Sequence, residues 1–140
     1  MNRPIYFDNL LEEDWEIIRK GLADYSIQYN QPPFVVEPAA FVCRDGERLV
    51  GGLSGWSARG GFDIGAFWVS PDMRRQGIGS ELVRAAEEIA RSRGCLSIFV
   101  WTMNYQAPNF YAKHGFEKVV ERPADNNGTV SVGFMKILSK

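Results

Sequence analysis

The chain has one histidine and two cysteines among 140 residues. A single imidazole cannot build a histidine-based metal centre, so no metal site is expected. Cys43 and Cys95 lie far apart, each inside an apolar run, and read as buried free thiols rather than as a disulfide or a metal pair. Charge of one sign is also lacking. Sixteen Lys and Arg against seventeen Asp and Glu leave a formal net charge of −1, which argues against nucleic acid as a partner. No apolar run is long enough to cross a membrane, and the N-terminus carries no apolar segment of the signal-peptide kind. Repeats, linkers and low-complexity tracts are missing as well. The expectation is a single cytoplasmic domain, 1–140, with no membrane partner; a homodimer is left open.

What is present is a 45% hydrophobic share, enough for a two-layer core. Pro4–Phe7 reads as a first strand. Glu12–Tyr29 reads as helix, with Trp15, Ile18, Leu22 and Tyr25 along one side, Gly21 as a potential break and Gln31-Pro-Pro33 as its stop. Ala39–Cys43, the Asp45-Gly46 turn and Arg48–Leu53 read as a hairpin, its second strand continuing to Ala58. After the Arg59-Gly-Gly61 turn come a strand over Asp63–Val69, a helix to Arg93, a strand over Cys95–Thr102 and a short helix over Pro108–His114. Strands over Phe116–Glu121 and Thr129–Leu138 end the chain. The order β-α-β-β-β-α-β-α-β-β predicts an α/β fold, a central mixed sheet with helices on both faces.

The stretch from Asp63 to Arg93 organises the rest. Ile78, Leu82, Ala85, Ala86, Ile89 and Ala90 recur at helical spacing, and Glu81, Arg84, Glu87, Glu88 and Arg91 take the opposite face. Arg84–Glu88 and Glu87–Arg91 are opposite charges four apart. Yet the first turn holds Gly77 and Gly79, both poor helix formers. Glycine there lets a ligand approach the backbone, and free amides plus the helix dipole attract phosphate, with Arg74 and Arg75 adding charge. A tight turn with solvated arginines explains the same glycines without a ligand. A dinucleotide fingerprint would need a third glycine where Leu82 stands, and a P-loop would need Gly-Lys-Ser/Thr.

Arg74-Arg-Gln-Gly77-Ile-Gly79 after a strand resembles the acetyl-CoA loop of the GNAT acetyltransferase superfamily. Asn104-Tyr-Gln-Ala107-Pro-Asn-Phe110-Tyr111-Ala-Lys-His-Gly115-Phe116 resembles the Asn-x-x-Ala-x-x-Phe-Tyr-x-x-x-Gly-Phe signature of the same superfamily. Together the two motifs carry the likeness from Asp63 to Phe116. It implies a GNAT-like fold and an N-acetyltransferase, an acyltransferase moving acetyl from acetyl-CoA to a primary amine of a small molecule or peptide by direct attack. By the same likeness, backbone groups near Trp68 and Val69 hold the pantetheine arm. Arg74, Arg75, Gln76, Gly77, Ile78, Gly79 and Ser80 hold the pyrophosphate, Asn104 bonds the cofactor, and Tyr111 lies near the thioester sulfur as the acid. The strands carrying Val69 and Val100 are expected to part beyond the loop, freeing backbone groups for the amides of pantetheine.

Other residues keep two readings. Tyr111 is either the acid or an aromatic packed with Phe110 and Phe116. Asp63, fourteen positions before Gly77, is either a solvated strand end or the base that takes the amine proton through water. Strand alternation puts it on one face with Gly65, Phe67 and Val69. His114, beside Gly115 at a helix end, reads as a capping residue. Trp56, Trp68 and Trp101 read as core, with the lining of the acceptor site as the other reading for any one of them. The acceptor is framed by Asp24–Glu37 and Pro123–Gly128, with Asp24, Tyr25, Gln28, Tyr29, Glu37 and Asp125 suiting a cationic amine. The alternative function is a non-catalytic acyl-CoA-binding sensor module, because the Cys95–Thr102 strand has no carboxylate.

Overall fold

The computed structural model describes residues 3–32, 35–106 and 108–138, which fall into two compact units, 1–35 and 36–140. Pro33 and Ala107, named above in the helix stop and the second motif, lie outside the described residues.

The first unit holds one helix, α1 (Glu12–Gln28), with Glu12, Glu13 and Asp14 in its first turn where the dipole favours them. It runs through Gly21 without a break and is braced by Lys20 on Asp24 at 2.9 Å. The first strand expected at Pro4–Phe7 does not form. A strand exists only by pairing, and Ile5, Tyr6 and Phe7 are exposed with no ladder partner.

The second unit is a six-stranded mixed sheet in the order β1-β2-β3-β4-β6-β5. Its strands are β1 (Glu37–Asp45), β2 (Arg48–Ala58), β3 (Gly61–Val69), β4 (Ser97–Met103), β5 (Glu117–Glu121) and β6 (Ser131–Ile137). A two-residue turn with Arg59 and Gly60 both left-handed (φ 49° and 79°) joins β2 to β3, matching the strand twist. Every neighbouring pair is antiparallel except β3 and β4.

Helix α2 (Ile78–Ser92) lies between β3 and β4 in sequence and buries Leu82, Val83, Ala86 and Ala90 against Leu53, Phe62, Ile64, Ile98 and Val100. Each fully buried Leu or Phe there is worth about 1.5–3 kcal/mol. Of the two expected ion pairs, Glu87–Arg91 forms at 3.0 Å, whereas Arg84 reaches Glu81 at 2.8 Å. Glu87 also accepts Lys136 Nζ at 2.7 Å, tying α2 to β6. Helix α3 (Pro108–Lys113) adds Tyr111 to the same core.

The sheet opens at one place. β3 and β4 pair only from Gly61↔Ser97 to Ile64↔Val100, and both strands then continue without each other. At the same point the β2–β3 register slips, with Gly55 opposite Ile64 but Ser54 opposite Ala66, so Gly65 is an extra residue. A Cβ on Gly65 would stand 2.8 Å from Trp56 Cζ3, so only glycine fits beneath that ring. The bulge also corrects the expected alternation. Phe62 and Ile64 lie in the core, and beyond the bulge Phe67 and Val69 pack against that same core. Asp63 therefore does not share a face with them.

Candidate active site

The parting of β3 from β4 opens a cavity of about 1030 Å³. Ile64–Val69 form one wall and Val100–Thr102 the other. Arg74, Arg75 and Ile78–Ser80 close one end, and Phe110, Tyr111 and His114 of the α3 segment line it from the core side. Beyond the last shared β pair, β3 and β4 turn backbone groups toward the gap instead of toward each other, and such groups require a partner.

The loop at the end is preset. A 3₁₀ turn (Pro71–Met73) leads into it, anchored by Arg48, whose Nη2 donates to Asp72 Oδ2 at 2.7 Å. The Arg48 bond, with Ser70 as second donor, holds the Asp72 carboxyl down at about 2. Arg74 Nε donates to Val69 O at 3.1 Å, pinning the loop to the end of β3. Arg75 (φ 65°) and Gly77 (φ 85°) are left-handed on either side of Gln76, a backbone form that turns amides to one side for an anion. The first intrahelical bond of α2 is Glu81 N–H to Gly77 O, so the amides of Ile78, Gly79 and Ser80 precede the ladder. Gly79 has a packing reason besides ligand approach: its Cβ would meet Phe110 Cε1 at 3.2 Å.

Tyr111 is 7% exposed and stands among Phe67, Phe110, Phe116 and Phe134. Burial pushes its phenol up to about 12. His114 corrects the capping expectation. Gly115 (φ 84°) ends the helix, and the imidazole instead enters the cavity, its Nε2 3.0 Å from Ser80 Oγ and its ring 4.5 Å from that of Phe110. Burial lowers its pKa, helped by the cations Lys136 and Arg84.

Of the residues expected at the site, Trp68, Val69, Arg74, Arg75, Ile78, Gly79, Ser80 and Tyr111 line the cavity. Gln76 and Gly77 belong to the loop but not to the lining. Asn104 sits at the end of β4, where its Oδ1 accepts Val130 N–H at 3.2 Å and its own N–H donates to Val130 O at 2.8 Å. Asp63 lies on the sheet face away from α2, opposite Trp56 and Phe99. Burial raises its pKa and the neighbouring Trp56 indole works against that rise. Asp125 is a turn residue, its Oδ1 accepting Asn127 N–H and Thr129 N–H.

Several lining residues were not foreseen: His114, Phe67, and the pair Thr102 and Gln106, in which Gln106 Oε1 accepts Thr102 Oγ1 at 3.1 Å and Met103 N–H at 2.9 Å. Trp56, Trp68 and Trp101 are 40–47% exposed rather than core, and the latter two line the cavity. Arg122 stacks on Trp101 with its guanidinium carbon 4.4 Å from the ring centroid. Among the described residues no His, Cys, Asp and Glu cluster could hold a metal ion, and no helix is long and apolar enough to cross a membrane.

The chain is 41% identical over 75 residues to acetyltransferase Atu2258 of Agrobacterium fabrum, a match covering 54% of this chain and 55% of that one. It is 34% identical over 86 residues to blasticidin-S acetyltransferase of Streptomyces morookaense, covering 61% and 63%. Under two thirds of either relative is thus matched. A crystal structure of a candidate acetyltransferase from Agrobacterium tumefaciens superposes with a TM-score of 0.81 at 30% identity, covering 99% of this chain and all of that one. Residues 6–116, which include the loop and the wedge described above, match the acetyltransferase (GNAT) family. The chain belongs to the GNAT acetyltransferase family.

Proposed function

We propose that the chain transfers an acetyl group from acetyl-CoA to a primary amine of a small molecule or peptide. The observation that carries this reading is the end of β3–β4 pairing at Ile64↔Val100, directly beside an anion-ready helix start. An extended ligand with amides along its length and a pyrophosphate at one end suits both. The blasticidin-S relative supports a small-molecule acceptor. The free thiols of Cys43 and Cys95 suit a reducing, cytoplasmic setting.

In the proposed reaction the neutral amine attacks the acetyl carbon, the C–N bond forms, the C–S bond breaks, and CoA leaves as its thiolate. Asn104, Gln76 and Gly77 keep a proposed part in holding the cofactor through the groups their present bonds leave free. Tyr111 meets the sulfur. With its phenol near 12 and a thiol near 8.5, full proton transfer is about 5 kcal/mol uphill. Tyr111 therefore acts as a hydrogen-bond donor to the developing thiolate, which takes its proton from solvent after release. Asp63 receives the ammonium proton through water and attracts the cationic acceptor, with Trp56 and Phe99 beside it as aromatic neighbours.

A panel of amines incubated with acetyl-CoA tests the reading. Acetylated amine and free CoA in equal amounts support it, and CoA binding with no product from any amine would make the chain a sensor instead.

A further inference from the structure

His114 is the chain's only histidine, and the reaction above gives it no task. Its ring nevertheless lines the same cavity as Arg74, Arg75 and Gly79, rests on Phe110, and hydrogen-bonds Ser80 at 3.0 Å. Ser80 belongs to the first turn of α2, where the helix offers amides to an anion.

A hydroxyl–imidazole bond can run either way. A neutral imidazole with its lone pair on Nε2 takes the Ser80 proton, and the hydroxyl then offers only lone pairs to whatever binds at the loop. An imidazolium can only donate. Ser80 Oγ then accepts from Nε2–H, and its own proton is free for a phosphate oxygen. The direction of this one bond decides whether Ser80 repels or receives an anion.

We propose that His114 is a positioning residue for the acyl donor: pyrophosphate binding at the Arg74–Ser80 loop draws a proton onto His114, which reverses the Ser80 bond and makes Ser80 a donor to the phosphate. This rests on the acetyl-CoA reading of the loop. The proton comes from solvent and no covalent bond changes. Several charged groups act on the ring. Arg84 and Glu87 approach from α2, Lys113 from the end of α3 and Lys136 from β6, with Arg74 and Arg75 lining the same cavity. The cations oppose imidazolium and Glu87 favours it. Two of them are already engaged, Arg84 with Glu81 and Lys136 with Glu87. Together with burial they keep His114 neutral near pH 7 in the free protein. A doubly anionic pyrophosphate is the charge that turns this balance.

The sign follows. If the bound-state pKa exceeds the free-state value, donor affinity is highest below the free-state pKa and is lost as pH rises through the bound-state pKa, about tenfold for each unit separating the two.

The test needs no variant, because one histidine gives one ring Cε1–H resonance in the proton NMR spectrum. Its titration is followed in the free protein and with saturating dephospho-CoA, which keeps the pyrophosphate but lacks the titrating 3′-phosphate. The expected result is a midpoint at least one pH unit higher in the complex, and an unmoved midpoint with pantetheine, which has no pyrophosphate. An equal midpoint in free and dephospho-CoA-bound protein overturns the proposal while leaving the donor reading intact. Failure of dephospho-CoA to bind at any pH, read by thermal shift, overturns the donor reading itself and this proposal with it. Two variants sharpen the outcome. His114→Gln always has an amide N–H to offer Ser80 and is expected to bind dephospho-CoA tightly with no pH dependence; His114→Phe is expected to bind about tenfold more weakly than the parent at pH 5.5, also without pH dependence. Parent-like pH dependence in His114→Phe overturns the proposal.

Discussion

The ring of Tyr111 stacks on that of Phe134 with centroids 5.5 Å apart and planes 24° from parallel. Phe67, Phe110 and Phe116 meet it edge-on or tilted, so the ring is held on several sides while the residue still reaches the cavity. An aromatic so held keeps its ring position when the hydroxyl alone is removed. Tyr111→Phe is therefore expected to keep the fold and CoA binding and to lower kcat about ten- to a thousandfold, as loss of a group that acts in the transition state does. Single-turnover rates with the best amine check this; an unchanged rate assigns Tyr111 to packing alone.

Gly65 sets the shape of the wedge. Its missing side chain leaves room for Trp56, with only 2.8 Å available for a Cβ. Gly65→Val should displace the Trp56 ring and weaken both stability and the wedge, at about 1–3 kcal/mol as for other overpacked sites. The midpoint of urea unfolding and CoA affinity report the two effects separately. A fully stable variant with parent-like CoA affinity would show that the bulge is tolerant and not a determinant of the wedge.

Asp63→Asn removes the proposed proton acceptor. The loss in kcat/KM should be largest at low pH, where little amine is neutral, and should shrink as pH rises. If the variant keeps the parent's pH–rate profile, water or a backbone-held solvent near Trp68 takes the proton.

Glu87 bridges Lys136 and Arg91, and the Glu87 and Lys136 side chains are 21% and 25% exposed. Burial alone would raise its pKa, but the bonds from Lys136 and Arg91 together outweigh it and the net direction is down. A carboxylate lowered in the folded state stabilises above its unfolded value near 4.5, and that stability is lost as pH falls through the folded value. Glu87→Gln should thus cost about 1 kcal/mol at pH 7 and less at a pH below 4.5, the cost shrinking as the pH falls. Urea midpoints at the two pH values check it, and an equal difference at both would leave the ion pair without a stabilising role.

The parts that were legible in the sequence are those set by local pattern. The apolar stripe from Ile78 to Ala90, the Arg74–Gly79 loop and the second motif around Tyr111 pointed to the wedge, the loop that closes one end of it and the family before any coordinate. What was hidden depends on pairing across distance. Period-2 alternation placed Asp63 beside Phe67, but one extra residue at Gly65 moved the two to opposite faces. Pro4–Phe7 has strand composition but no ladder to join. Ser80 and His114 are 34 residues apart, and the packing of the Phe110–Tyr111 segment onto the core, with Phe110 beside Gly79, brings them together. Tryptophan composition suggested core, whereas Trp68 and Trp101 are the exposed walls of the cavity.

The central claim is that the β3–β4 wedge holds acetyl-CoA for direct transfer to an amine. The measurement that bears on it most directly is product mass after incubating the protein with isotopically labelled acetyl-CoA and each of a panel of small amines. The account predicts labelled N-acetyl product in amounts equal to the CoA released, from at least one amine, and loss of that product in Tyr111→Phe. CoA release with no acetylated amine, or tight acetyl-CoA binding with neither product across the panel, would contradict it.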